Sequence, residues 1–237
     1  MTDVLNIPKL PDEDDTEGLR AHLRNGISAI LQNSQVQLQP DVYMNLYTAV
    51  WRLTYREKNN NSVRSEAAVP CAGVIYQDLI KLLAEHVQLV LKRLQSQDDS
   101  LLLEAYLTEW DQYVTAANRI DRLLNLINRH WVQREIDEGK PDVYHIRTLH
   151  FVQWRSYLWA TISVAVIDSA QLVMEKSNEN GAKIRDVLKG FASLQIDDSA
   201  LTGDTRTRIQ ESLEAPFLSE IEAHERSRQN IIAARLR

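Results

Sequence analysis

Residues 41–54 read DVYMNLYTAVWRLT, and the spacing within them decides the fold class. At about 100° per residue, Val42, Leu46, Ala49, Val50 and Leu53 fall on one arc, the stripe a helix needs to face a core. Tyr43, Tyr47 and Trp51 recur at i, i+4 and i+8 on the adjoining arc, with Met44 beside them. The combined surface is wider than a single packing face requires. Aromatic rings and methionine are enriched in interface cores, where large rings bury much area with little rotamer entropy to lose. That makes the arc a candidate docking face. The alternative is a helix central in its bundle and buried all round, against which polar Asn45, Thr48 and Arg52 weigh slightly.

Outward from this segment the helical period dominates and alternating strand patterns are scarce, so the chain reads as all-α. After a loose start at residues 1–13, Asp15 or Thr16 caps a helix through about Asn33, with Leu19, Leu23, Ile27, Ile30 and Leu31 on one side. Pro40 and Asp41 open the helix quoted above, which is expected to reach about Arg56. Residues 57–70, EKNNNSVRSEAAVP, suit a mobile loop. A third helix is expected from about Gly73 to Gln95, carrying Ile75, Leu79, Leu82, Leu83, Val87, Val90 and Leu94. Another covers about Ser100 to Glu138 with a break near Thr115–Asn118, and Gly139 with Pro141 ends it. A long apolar segment from about Val143 to Ser177 follows. Then come an Asn180–Gly181 turn, a shorter helix to about Leu194, and a last helix from about Asp204.

Composition excludes several function classes. At 237 residues, 44% hydrophobic and 25% charged, the chain can bury a core without metal or disulfide, and seven glycines and six prolines suit long helices. A net charge of -6 gives no general attraction to nucleic acid or anionic lipid, so neither partner is expected. No stretch reaches about 18 uncharged apolar residues, and no membrane segment is expected. Cys71 is the only cysteine. It allows neither an intrachain disulfide nor a thiolate zinc site, which favours a reducing compartment, and it reads as a small buried or loop residue.

Catalysis finds no motif. His22, His86, His130, His145, His150 and His224 are scattered, and His145 with His150 at i+5 lacks the i, i+4 register of a metal-binding helix. No phosphate loop, dinucleotide turn or nucleophile elbow occurs, so no cofactor and no metal are expected. Glu135, Asp137 and Glu138 read as a solvated acidic helix end rather than an acid and base pair. In LLNLINRHWVQREIDEG, residues 123–139, Leu123, Leu124, Ile127 and Trp131 continue a stripe begun at Ile120. Asn128, Arg129, His130 and Arg134 are then available to a partner, or the end is solvated with Arg134 paired to Glu138 at i+4.

YMNLYTAVW (43–51), INRHWVQREIDEG (127–139) and VYHIRTLHFVQWR (143–155), with FLSEIE at 217–222, together resemble the N-terminal, cullin-repeat region of an SCF-type cullin. The resemblance runs from about residue 14 to about residue 220. It implies helical bundles stacked as an elongated solenoid-like stalk, with a flexible segment at 1–13, a first repeat at 14–140 and an incomplete second repeat at 141–237. It implies a non-catalytic scaffold of a cytoplasmic and nuclear ubiquitin ligase, whose tip binds a Skp-type adaptor carrying an F-box protein. On the matching positions the contacts fall on Tyr43, Met44, Tyr47 and Trp51 in the second helix and on Asn128, Arg129 and Trp131 in the fifth. Trp51 stands where the family pattern leads one to expect a tyrosine. The RING subunit is expected to bind only through a C-terminal domain beyond these residues. The rival expectations are a generic α-helical interaction scaffold, or a cullin of another class that binds BTB or propeller adaptors.

Overall fold

The first helix begins where a side chain can supply the missing acceptor: the Asp15 carboxylate accepts the Gly18 N–H at 2.8 Å, a cap worth about 1 kcal/mol. A computed structural model of the chain describes residue 7 and residues 9–36, 38–59, 71–177 and 205–235. Among these, seven helices and no strand occur when adjoining α- and π-helical stretches count as one. They are α1 (Thr16–Gln32), α2 (Pro40–Asn59), α3 (Cys71–Gln95), α4 (Asp99–Leu123), α5 (125–137), α6 (146–177) and α7 (Thr205–Arg235).

The described residues cluster in two compact units, one drawn from 1–86, 111–150 and 224–237, the other from 87–110 and 151–223. Neither is a continuous stretch of chain. In the first, α1 and α2 pack directly. Leu19, Leu23, Ile27, Ile30 and Leu31 of α1 and Leu46, Ala49, Val50 and Leu53 of α2 are all buried, as their spacing predicts. Gly26 is required at the crossing, because a Cβ there would lie 2.3 Å from Leu46 Cδ2. The connection between the two helices is held by Arg119, whose guanidinium donates to the Val36 carbonyl at 2.6 Å.

The second unit is built on aromatic rings. Trp154 packs against Trp110 at 5.2 Å and Tyr106 at 5.8 Å between centroids, and Tyr106 also meets Trp159 at 5.5 Å. Phe217 of α7 closes the cluster against Trp110 and Trp159. The middle of α6, Trp154–Trp159, is π-helical. Closing the backbone bond over five residues instead of four brings residues five apart toward one face, which lets Trp154 and Trp159 share Tyr106. Ser169 ties α6 to the start of α4, accepting the Leu103 N–H at 3.1 Å and donating to the Asp99 carbonyl at 2.5 Å.

Several boundaries differ from expectation. The helix of α2 runs on to Asn59 and α3 starts at Cys71, so Cys71 opens a helix; residues 60–70 of the expected loop lie outside the described residues. The expected break at Thr115–Asn118 is absent, and α4 is continuous to Leu123. Ala116 and Ala117 there are fully buried, so packing holds the turn. The interruption falls instead at Leu124. The turn at 180–181 and the helix to Leu194 also lie outside the described residues. Gly139 does end α5, with φ 79°, a conformation glycine adopts without steric cost.

The stretch Ile146–Val173, with mean hydropathy 1.2, is long and apolar enough by length and composition to cross a membrane. Here Phe151, Trp154, Leu158, Ile162, Val166 and Ile167 of that stretch are packed inside the protein. Tyr157, Val164 and Leu172 of the same stretch are exposed.

Candidate functional site

The outer arc of α2 is partly exposed among the described residues. Its inward stripe is spent on α1, while Met44 keeps 55% and Trp51 43% of its surface exposed; Tyr43 and Tyr47 are half-buried. All-round burial of this helix therefore does not hold. The two tyrosines stack along the helix, centroids 6.4 Å apart and planes 16° from parallel. That is the contact i, i+4 spacing allows. Beside the arc, Thr48 turns its hydroxyl back to the Met44 carbonyl at 2.7 Å. Near the far end, Arg52 donates to the Pro11 carbonyl at 3.1 Å. The segment preceding α1 is thereby tied to the same helix.

The start of α5, Asn125–Ile127, packs against α2, so the two expected contact helices are neighbours. They contribute differently. Beyond Ile127 the backbone is π-helical over Asn128–Val132, with the Gln133 N–H donating to the Asn128 carbonyl. Arg129 and His130 face outward and are exposed. Trp131 is half-buried, its ring against Tyr76 at 5.0 Å. Tyr76 is itself fixed: its hydroxyl donates to the Tyr144 carbonyl at 3.0 Å and accepts the Tyr144 N–H at 2.9 Å. Burial raises the Tyr76 phenol well above its ordinary range, so it serves as a neutral hydrogen-bonding post.

Asn128, a candidate contact by sequence, is only 8% exposed. Its amide donates to Asp121 Oδ1 at 2.8 Å, and its carbonyl accepts the Ile146 N–H at 3.0 Å. Sequence reasoning passed over Asp121, Tyr76 and Tyr144. A signal existed for Asp121, which lies seven residues before Asn128 and so on the same helical face, a polar pair beside an apolar stripe.

The acidic end of α5 is also not as expected. Glu135 is 4% exposed rather than solvated. Lys140 approaches it at 2.5 Å and Arg134 at 3.1 Å, while the anticipated Arg134–Glu138 pair is looser at 3.8 Å. Burial alone pushes the Glu135 carboxyl upward, but the hydrogen bonds from Lys140 and Arg134 outweigh it and leave the carboxyl below its usual range. Such a paired carboxylate is a structural clamp. Among the described residues no set of three His, Cys, Asp or Glu side chains converges as a metal site. An open groove of about 340 Å³ between α3 and α4 is lined by Arg93, Leu94, Leu101 and Glu109, where Arg93 and Glu109 already pair at 2.9 Å. It lies within the second unit.

A family model described as the cullin α-solenoid domain matches residues 20–233. The chain is similar to Cullin-1 of Dictyostelium discoideum, 29% identical over 186 residues, covering 73% of this chain and 24% of that protein. Cullin-1 of Caenorhabditis elegans is 28% identical over 204 residues, covering 78% and 26% respectively. Cell division control protein 53 of Saccharomyces cerevisiae is 23% identical over 235 residues, covering 91% and 28%. The chain thus spans about a quarter of the length of these relatives.

Proposed function

Because this chain belongs to the cullin family, we propose that it is the adaptor-docking part of an SCF-type ubiquitin ligase scaffold and binds a Skp-type adaptor carrying an F-box protein. The observation that carries the reading is the outward arc of α2, where Met44 and Trp51 stay exposed beside the stacked Tyr43 and Tyr47. Contiguous exposed apolar side chains of this kind mark protein interaction sites. Likeness to proteins named Cullin-1 favours the SCF class over classes that use BTB or propeller adaptors. In this reading Tyr43, Met44, Tyr47 and Trp51 supply the anchors, and Arg129 and Trp131 supply the neighbouring contacts. The role is non-catalytic, in the cytoplasm and nucleus, and the RING subunit is engaged by other parts of a longer cullin. The division into a first repeat at 14–140 and a second from 141 belongs to the same proposal.

The double variant Tyr43→Ala, Met44→Ala tests it. Circular dichroism should show an unchanged fold, since neither side chain is in the core. Affinity for the Skp-type adaptor by titration calorimetry should fall by about 2 kcal/mol or more per anchor. Intact binding by the double variant would remove this face from the interface. Binding by the native chain to a BTB or propeller adaptor instead would move it to another cullin class.

A further inference from the structure

We infer that Asn128 does not touch the partner but positions the docking face, acting with Asp121 as a cap supplied from other helices to the first turn of α6. The inference rests on the docking reading above. The opening N–H groups of a helix have no partner within it, and usually a Ser, Thr, Asp or Asn at the cap position supplies one. His145 occupies that position in α6, its carbonyl taking the first helical bond from the Leu149 N–H at 2.8 Å. The next two N–H groups are served from elsewhere. Ile146 donates to Asn128 Oδ1 at 3.0 Å and Arg147 to Asp121 Oδ1 at 3.2 Å. Between the two acceptors, Asn128 Nδ2 donates to Asp121 Oδ1 at 2.8 Å.

The chemistry requires an amide at 128. Its two neighbours there are a carboxylate oxygen, which accepts, and a peptide N–H, which donates. An aspartate would set two carboxylates against each other, and an aliphatic residue would leave buried groups unpaired, which costs more than the bond contributed.

The same residue opens the widened turn of α5, its carbonyl taking the five-residue bond from Gln133. Arg129, His130 and Trp131 follow directly on that turn. A second tether starts three residues along, where Trp131 rests on Tyr76 and the Tyr76 hydroxyl holds both polar groups of the Tyr144 backbone. Both tethers end on the segment 144–146. The direction in which Arg129 and Trp131 are presented is thus set by a buried amide that a partner does not reach.

Exchanging the two side chains separates positioning from contact. N128D should place like charges together, speed hydrogen exchange at the Ile146 amide and weaken adaptor binding about tenfold or more, the scale of one lost charged hydrogen bond. The double variant D121N, N128D restores a donor facing an acceptor and keeps an oxygen for the Ile146 N–H, while the Arg147 N–H, which shares Asp121 Oδ1 with Asn128 in the native chain and lies exposed, turns to water. Slow exchange at Ile146 and affinity within about threefold of native should both return. Slow exchange without recovered affinity would show that Asn128 meets the adaptor itself and overturn the inference. Native affinity in N128D despite fast exchange would also overturn it, because the cap would then position nothing at the interface. If N128D does not fold, the double variant still carries the first of these outcomes. A native chain with no affinity for the adaptor would instead remove the docking reading, and the positioning role with it, while leaving the exchange results as a measure of the cap alone.

Discussion

Trp154 and Trp51 are the same side chain on two apolar helices, yet one is fully buried and the other keeps 43% of its surface exposed. Trp154 sits among Tyr106 and Trp110, with its indole N–H donating to the Tyr106 hydroxyl at 3.3 Å. Ring pairs of this kind are worth about 0.5–1.5 kcal/mol each beyond the area they bury. Trp51 lies on a helix whose inward stripe is already complete, so its ring adds little to the core. The difference separates a ring packed on all sides from a ring that keeps much of its surface exposed. Apolar character is shared; the number of sides already covered is not.

The contrast breaks most readily at the interior ring. Trp154→Ala should lower stability in urea unfolding by about 3–5 kcal/mol, the usual cost of emptying a buried aromatic site. A loss under about 1 kcal/mol would mean that the cluster can collapse around the vacancy.

Acid tests the interior by another route. His150 is fully buried, its Nδ1 donates to the Ile146 carbonyl at 2.7 Å, and its Nε2 has no hydrogen-bond partner among the described residues. Burial is the main cause that pulls it from 6.5 down to about 4, with a smaller push in the same direction from His86 and an opposing one from the Ile146 carbonyl. The unfolded chain therefore takes up this proton first as pH falls. No cost arises above about 6.5, and stability is lost progressively down to about 4, on the order of 3 kcal/mol in total. Denaturation midpoints measured at pH 7 and pH 4.5 should show this loss, and His150→Leu should flatten the slope even if it costs stability at neutral pH.

The smallest expected effect on stability sharpens the other half of the comparison. Trp51→Ala should change stability by less than about 0.5 kcal/mol, as surface substitutions do, while costing about 2 kcal/mol of adaptor affinity. A large stability loss with unchanged affinity would place Trp51 with Trp154.

Much of the fold was legible in the sequence. The stripes of α1 and α2 became the buried faces of those helices, except for Val42, which is half-buried, and Asp15 and Gly139 marked helix ends through ordinary backbone chemistry. The arc of Tyr43, Met44, Tyr47 and Trp51 could be listed, but not its exposure, because a helical projection shows which residues share a side and not what lies opposite. The expected break in α4 failed for a related reason. Thr115 and Asn118 lower helix propensity locally, and burial of the alanines between them overrides it.

Asn128 marks the division most clearly. Its polarity, its place among Arg129, His130 and Trp131, and the resemblance made it a candidate contact. In the structure its amide is held between Asp121 and the Ile146 N–H. Side-chain spacing alone determined that this chain is a helical protein with one helix richer in aromatic surface than its core needs. Which of those polar and aromatic groups face inward was decided only by tertiary packing, since a residue's environment is set by neighbours that lie far away along the chain.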